Sequence, residues 1–249
     1  MDLNETYVKK LESLISDKKD KIDVINGGVI GYNIFQCLTY LKQKGIRYNP
    51  DAVVYFFFID DMQGPNSEQQ VREVYQSFSR SEENAEKLHK ISHSYLINFV
   101  KNVYTFLWNK YRWLNGADWL RNIEDRKKLF HKELKEVIEG NFDTDLLNRH
   151  LSELNALTQD EGIKLLLVFI PDAVQIHNPQ WQKINYIVRE ACRSQQIPFL
   201  DITTIFEKEF DIVSLYLFPI DAHTSPKGNT IIANNIYKKI KKLDWLLKE

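Results

Sequence analysis

The residue pattern that best fits catalytic chemistry lies near the C-terminus, where a single alanine separates Asp221 from His223. A carboxylate beside a histidine can hold the imidazole in one tautomer, and the histidine can then act as a general base. Ser225 and Pro226 follow, a pattern typical of a helix N-cap and its first helical residue. The pair is therefore predicted on a loop that enters the last helix, although the motif alone is too common to define a site.

A second candidate is a loop that carries three glycines. Gly27, Gly28 and Gly31 follow a short predicted strand at residues 22–25. Glycine allows a tight turn whose backbone N–H groups point at an anion or an oxyanion. The spacing differs from a complete G-x-G-x-x-G fingerprint, so a simple tight turn is the alternative interpretation.

Acidic residues and a histidine pair form further candidates. Asp60 and Asp61 end the predicted strand at residues 52–59, where two carboxylates could bind Mg²⁺, as in phosphohydrolases with an aspartyl nucleophile. An aspartate at such a junction is more often an N-cap. His89 and His93 are spaced to share a metal ion, but no third ligand is evident, which favours exposed helical histidines. The sequence therefore predicts no metal or other cofactor.

The elements that must position these residues alternate between strands and helices. Continuous apolar runs such as residues 52–59 are typical of strands that are covered on both faces. The predicted elements are a helix from Tyr7 with Leu11, Leu14 and Ile15 inward, a strand at 22–25, a helix from Ile34 to a C-terminal Gly45, strands at 52–59 and 163–170, a helix at 181–193, a strand at 198–200, a helical turn near 205–210, and a helix from Pro226 to about Leu247. This order predicts an α/β fold with a parallel sheet, in which ligands bind at the carboxyl ends of the strands.

Residues 64–160 interrupt this alternation with a helical stretch that is rich in aromatic residues. Their helical spacing is more typical of a core-facing stripe than of a ligand site, with a substrate-shaping lid or a membrane-facing patch as the alternative. No internal repeat or low-complexity linker separates the stretch from the rest. We therefore expect a single domain over residues 1–249 with a helical insertion at about 64–160.

Composition argues against several classes of function. The chain has 33 lysines and arginines against 34 aspartates and glutamates, so nothing indicates binding to nucleic acid or to an anionic membrane. No apolar run reaches the ~18 residues of a membrane span. Cys37 and Cys192 lie in apolar helical patterns, which favours buried free thiols. The acidic, polar N-terminal segment does not resemble a signal peptide, so the default localisation is cytoplasmic unless an upstream signal or anchor is missing.

Taken together, these segments resemble the SGNH (GDSL-like) hydrolase superfamily. Residues 24–32 are similar to the family's second block, an N-x-G-x-x-G turn after a strand. Residues 48–61 resemble its third block, in which a strand ends in Asn-Asp. Asp221, His223 and Gly228 resemble the final block, which carries the catalytic aspartate and histidine before the last helix. The order and spacing agree over nearly the whole chain.

The resemblance implies a three-layer α/β/α flavodoxin-like fold and ester hydrolysis, or acyl transfer, through a covalent acyl-serine. It implies that His223 is the general base, that Asp221 orients it, and that the backbone N–H of Gly28 is one oxyanion donor. The implied substrate is a small-molecule or carbohydrate acyl ester. The sequence does not specify the acyl group, the acceptor or the oligomeric state.

The chain departs from the family pattern in two places. The first block, Gly-Asp-Ser on the first strand, has no counterpart, since no serine in the chain follows Gly-Asp. The chain is therefore expected to lack both that strand and the nucleophile, and to be nearly inactive. A late start codon or a trimmed chain explains the missing block more simply than evolutionary loss. Asp60 stands where the third block has an asparagine that donates to the oxyanion, and losing one such donor typically costs ~10²–10³ in rate.

Two other functions remain open. A non-catalytic carbohydrate-binding module would keep the cleft without the nucleophile, and the in-frame sequence upstream of Met1 distinguishes it, because a Gly-Asp-Ser there favours the enzyme. An Mg²⁺-dependent phosphohydrolase would use Asp60 and Asp61. That function predicts metal-dependent activity that is unchanged in His223→Ala.

We predict that extending the chain upstream by the missing block raises its stability and lowers its tendency to associate. The missing strand is interior to the family's sheet, so its absence leaves edge N–H and C=O groups without partners. Thermal unfolding and sedimentation of the 249-residue and the extended chains test this expectation. Equal melting temperatures together with equal monomer contents would contradict it.

Overall fold

A computed structural model describes residues 2–16, 22–29, 31–62, 139, 142–217 and 223–245, with Asp60 described by its backbone only. The predictions for the aromatic stretch before residue 142, for His89 and His93, and for Asp221 lie outside the described residues. The extent of the single domain and of its insertion therefore stays a prediction.

Three parallel strands form the centre of the fold. They are β1 (Ala52–Phe57), β2 (Lys164–Phe169) and β3 (Phe199–Asp201), adjacent in that order. The described residues also form six α-helices: α1 (Tyr7–Ser16), α2 (Ile34–Gln43), α3 (Thr144–Asp160), α4 (Lys183–Ser194), α5 (Thr203–Phe206) and α6 (Pro226–Lys242). In the described part of the chain, no helix is long and apolar enough to cross a membrane.

The strands alternate their side chains between two hydrophobic layers. On one face, Phe57 and Leu167 are completely buried in a layer formed with α2, α3 and α4. On the other face, Leu166 and Val168 are completely buried in a layer formed with α1 and α6. Because both faces are covered, the strand sequences are continuous apolar runs rather than alternating ones. The predicted α/β/α fold with a parallel sheet is confirmed.

The buried face of α1 and the start of α6 are as the sequence predicts, but α6 ends at Lys242, with Leu243 as its C-cap, before the predicted end at about Leu247. Leu11 and Ile15 are the buried residues of α1, as the helical period indicates. Ser225 is the N-cap of α6, because its side-chain oxygen accepts a hydrogen bond from the backbone N–H of Gly228 at 3.2 Å. Pro226 occupies the first helical position. Proline is tolerated there because an N–H at this position would have no acceptor within the helix.

The predicted strand at residues 22–25 is wrong, since residues 22–29 have no regular secondary structure. Ile22 and Val24 are partly buried against the layer of α1 and α6, so the apolar pattern reported burial correctly. A strand also needs a neighbour for its backbone N–H and C=O groups. Among the described residues, β1 pairs only with β2, and no strand pairs with its other edge.

Two predicted element ends are also corrected. Helix α2 ends at Gln43 with Lys44 as its C-cap, and Gly45 begins a 3₁₀ turn instead of adopting the left-handed C-cap conformation. Strand β1 ends at Phe57 because the N–H of Phe58 donates to the side chain of Asp61 at 3.1 Å and leaves the ladder.

Candidate functional site

The loop that carries His223 is attached to the carboxyl edge of the sheet. The hydroxyl of buried Tyr216 donates to the backbone oxygen of Pro171, directly beyond the end of β2, at 2.9 Å. Tyr216 also forms an isolated antiparallel bridge with Thr224, the residue after His223. The 3₁₀ turn that contains Asp60 follows β1 and lies at the same edge. The sheet thus brings the His223 loop and Asp60 to one edge, as the sequence predicts for parallel strands.

A backbone clamp holds the chain on both sides of His223. The N–H of Leu217 donates to the backbone oxygen of His223 at 2.9 Å, and the N–H of Ser225 donates to the backbone oxygen of Leu215 at 2.8 Å. His223 is an exposed residue. Asp221 is outside the described residues, and its pairing with His223 stays a prediction.

Asn229 connects the clamp to the first residues of the chain. Its side chain is buried, with 1% of its surface exposed. The hydroxyl of Thr224 donates to Asn229 Oδ1 at 2.6 Å, and Asn229 Nδ2 donates to the backbone oxygen of Glu5 at 2.9 Å. Sequence reasoning missed Asn229, and its position directly after Gly228 was the available signal.

Gly228 is required where α6 approaches the clamp. A Cβ atom at this position would overlap the backbone oxygen of Leu215, and Leu215 accepts the clamp bond from Ser225. Only glycine therefore lets the first turn of α6 lie this close to the clamp.

The glycine loop is exposed, and its central N–H group has a partner. Residues 26–29 are exposed, and Gly31 adopts a left-handed φ of 77°. The N–H of Gly28 donates to Asn26 Oδ1 at 3.0 Å, so an oxyanion would have to displace the Asn26 side chain to use it. A Cβ at Gly27 would contact the ring of Tyr40, which places this loop beside α2. Among the described contacts, none links Gly28 to the His223 loop.

The side chain of Asp61, the second aspartate after β1, has structural partners. Asp61 turns back towards the strand, where its Oδ2 accepts from the hydroxyl of Tyr55 at 2.9 Å and from the N–H of Phe58 at 3.1 Å. Burial, and then the nearby Asp61 carboxylate, raise the pKa of Tyr55 well above its usual range. Asp61 therefore fixes the turn on which Asp60 lies. The described residues contain no group of three or more histidine, cysteine, aspartate or glutamate side chains that could hold a metal ion.

The aspartates beyond the other two strands also have structural partners. Asp172 accepts from the N–H of Val174 at 3.1 Å and caps a 3₁₀ turn. Asp201 accepts from the N–H of Thr203 at 2.9 Å and forms a 2.9 Å ion pair with Arg189. These carboxylates are engaged in turn formation, so neither is a candidate acid or base.

Neither cysteine is an activated nucleophile. Both are free thiols, as predicted; Cys192 is buried and Cys37 is partly buried. Burial raises the pKa of Cys192 to about 12. Burial, with the Asp61 charge as a smaller cause, raises the pKa of Cys37 to about 12 as well. The nucleophile in cysteine catalysis is the thiolate, so both thiols are inert at neutral pH.

Comparison with known proteins supports the fold. No family model matches the chain, and no curated protein matches it. The chain is similar to the crystal structure of an acetyl xylan esterase, AlAXEase, with a TM-score of 0.53 and 15% sequence identity. The similarity covers 95% of this chain and 91% of the esterase chain. At this identity the likeness establishes a shared α/β fold.

We predict that Gly228→Ala destabilises the protein by about 1–3 kcal/mol, because the added methyl group forces α6 away from Leu215. Urea unfolding measures the loss, and amide hydrogen exchange at Ser225 should accelerate. Lys227→Ala is the matched control, since it removes a partly exposed ion pair with Glu209 and a hydrogen bond to Ser214 Oγ, and should change the free energy of unfolding by less than about 1 kcal/mol. Equal stabilities for the two variants would mean that the close approach at Gly228 is unimportant.

Proposed function

We propose that the protein is an ester hydrolase or acyltransferase of the SGNH type, in which His223 is the general base and Asp221 orients it. The observation that carries the proposal is the clamp that holds an exposed His223 at the carboxyl edge of a parallel sheet. Ligands of such sheets bind at this edge. The fold shared with an acetyl xylan esterase supports an ester as substrate, and a small-molecule or carbohydrate acyl ester fits.

The proposed reaction passes through an acyl-serine. His223 takes the proton from a serine hydroxyl as the oxygen attacks the ester carbonyl, and the resulting imidazolium then protonates the departing alcohol. A water molecule, or an acceptor alcohol in a transferase, attacks the acyl-serine and gives its proton to the same imidazole, which then protonates the serine oxygen as the carboxylic acid, or the new ester, leaves. Backbone N–H groups such as that of Gly28 would stabilise the oxyanion once the Asn26 side chain moves away.

The serine for this reaction is expected on the family's first block, which these 249 residues do not include. Ser225 is close to His223 in sequence but has a structural role. Its hydroxyl donates to the backbone oxygen of Ser214 and accepts from the N–H of Gly228 at the start of α6. We therefore propose that the 249-residue chain alone is nearly inactive and that the reaction needs a serine supplied upstream.

A carbohydrate-binding module without catalysis is the competing function. Two observations favour it: the missing Gly-Asp-Ser block and the engagement of the Gly28 N–H by Asn26. Such a module would use the same edge of the sheet for binding without forming a covalent intermediate.

We predict that a chain extended upstream in frame hydrolyses a short-chain aryl acetate and is labelled by a fluorophosphonate. The 249-residue chain should neither hydrolyse the ester nor be labelled. His223→Ala should abolish both reactions, because the serine loses its base. His177→Ala is the matched control. His177, like His223, is an exposed histidine outside the helices and strands; it follows β2, and its substitution should leave activity unchanged. If neither chain reacts, the binding-module function is favoured.

We further predict that Asp60→Asn raises the activity of the extended chain. A carboxylate repels a developing oxyanion, whereas an amide N–H donates to it, and one such donor is worth about 10²–10³ in rate. The value of kcat for the aryl acetate is the measurement. An unchanged kcat would mean that Asp60 does not line the oxyanion site.

A further inference from the structure

Asn229 uses both ends of its side chain to join segments that are distant in sequence. Its Oδ1 accepts from Thr224, beside His223, and its Nδ2 donates to the backbone oxygen of Glu5, just before α1. The side chain is buried, and a buried carboxamide is favourable only when its polar atoms are hydrogen-bonded.

A second asparagine on α6 shows that the helix itself does not require this arrangement. Asn235 is partly buried, and its Nδ2 donates at 2.8 Å to the backbone oxygen of Ile231, within the same helix. Asn229 instead bonds outside its helix in both directions. Asn235 therefore provides a control of the same chemistry without the connection.

We infer that Asn229 is a positioning residue that fixes the His223 loop relative to the segment leading into α1. This inference rests on the proposed function, in which the serine is supplied upstream of these residues and the base is carried on the clamp. Asn229 hydrogen-bonds to Thr224, beside the base, and to Glu5, on the segment that an upstream nucleophile would precede. A displacement of about 1 Å between reacting groups can cost on the order of 10² in rate.

Two variants and one rescue variant separate the bond of Asn229 to Glu5 from its bond to Thr224. Asn229→Asp keeps an acceptor for Thr224 but removes the donor to Glu5 and places a carboxylate oxygen against the Glu5 carbonyl. Thr224→Val removes the other bond, and Thr224→Ser restores its hydroxyl, so recovery in the serine variant identifies the hydrogen bond as the cause.

The first measurement uses the 249-residue chain and is independent of activity. We expect Asn229→Asp to accelerate hydrogen exchange of the Leu217 and Ser225 amides, which form the clamp, by about tenfold or more. The amide of Ile170, beyond β2, should keep its protection, as should all three amides in Asn235→Ala. Equal exchange of the clamp amides in the two variants overturns the inference.

The second measurement uses the extended chain that the fluorophosphonate labels. We expect Asn229→Asp to lower kcat for the aryl acetate by about ten- to a hundredfold with KM changed less than twofold, since substrate contacts remain. Loose clamp amides with an unchanged kcat overturn the positioning role. If no form of the chain is labelled, the proposed function fails and the positioning role fails with it. Normal labelling with unchanged clamp exchange overturns the inference alone.

Discussion

The enclosure of β2 is the constraint on which the rest of the structure depends. The strand has β1 on one edge and β3 on the other, and residues 165–169 are all buried. The side chains of these residues point alternately to the two faces of the sheet, so their burial requires a layer of helices on each face. Its last residues also deliver Pro171 to the carboxyl edge, where Tyr216 binds it. The hydrophobic core and the placement of the His223 loop thus have a common origin.

The polar groups at this edge are organised by hydrogen bonds that terminate the strands. Asp61 closes the turn after β1, and Asp172 caps the turn after β2. Asn229 joins α6 to the segment before α1 by donating a hydrogen bond to the backbone oxygen of Glu5. Buried or partly buried polar side chains are costly without partners, so these contacts also restrict the loops to one geometry. A site built on such turns is held more firmly than one on unsupported loops.

Much of the fold could be predicted from the sequence because burial determines which neighbouring residues are apolar, in continuous runs for these strands and at helical spacing for α1. The runs around Phe57 and Leu167 predicted strands covered on both faces, and Ser225 predicted the start of α6. The apolar residues Ile22 and Val24 led to the wrong prediction of a strand, because a buried apolar pattern does not reveal whether a neighbouring strand exists. The end of β1 was predicted less accurately, because it is set by the hydrogen bond from the Phe58 N–H to Asp61 and not by the apolar pattern.

The candidate site was predicted less completely than the fold. His223 and Gly228 stood out as a short local motif, whereas Asn229 matters through a contact with Glu5, which is 224 positions away. The inward turn of Asp61 depends on the hydroxyl of Tyr55 within β1. Contacts of this kind are set by the tertiary fold and leave no pattern in neighbouring residues.

The packing of α1 against α6 has a consequence for how the chain is made. These helices come from opposite ends of the sequence, yet they cover the same face of the sheet. During synthesis α1 is made before β2 and α6 after it, so the cover over Leu166 and Val168 is completed only once α6 has emerged. The layer of α2, α3 and α4 depends on a shorter stretch and can form earlier. The face covered by α1 and α6 is therefore completed after the face covered by α2, α3 and α4.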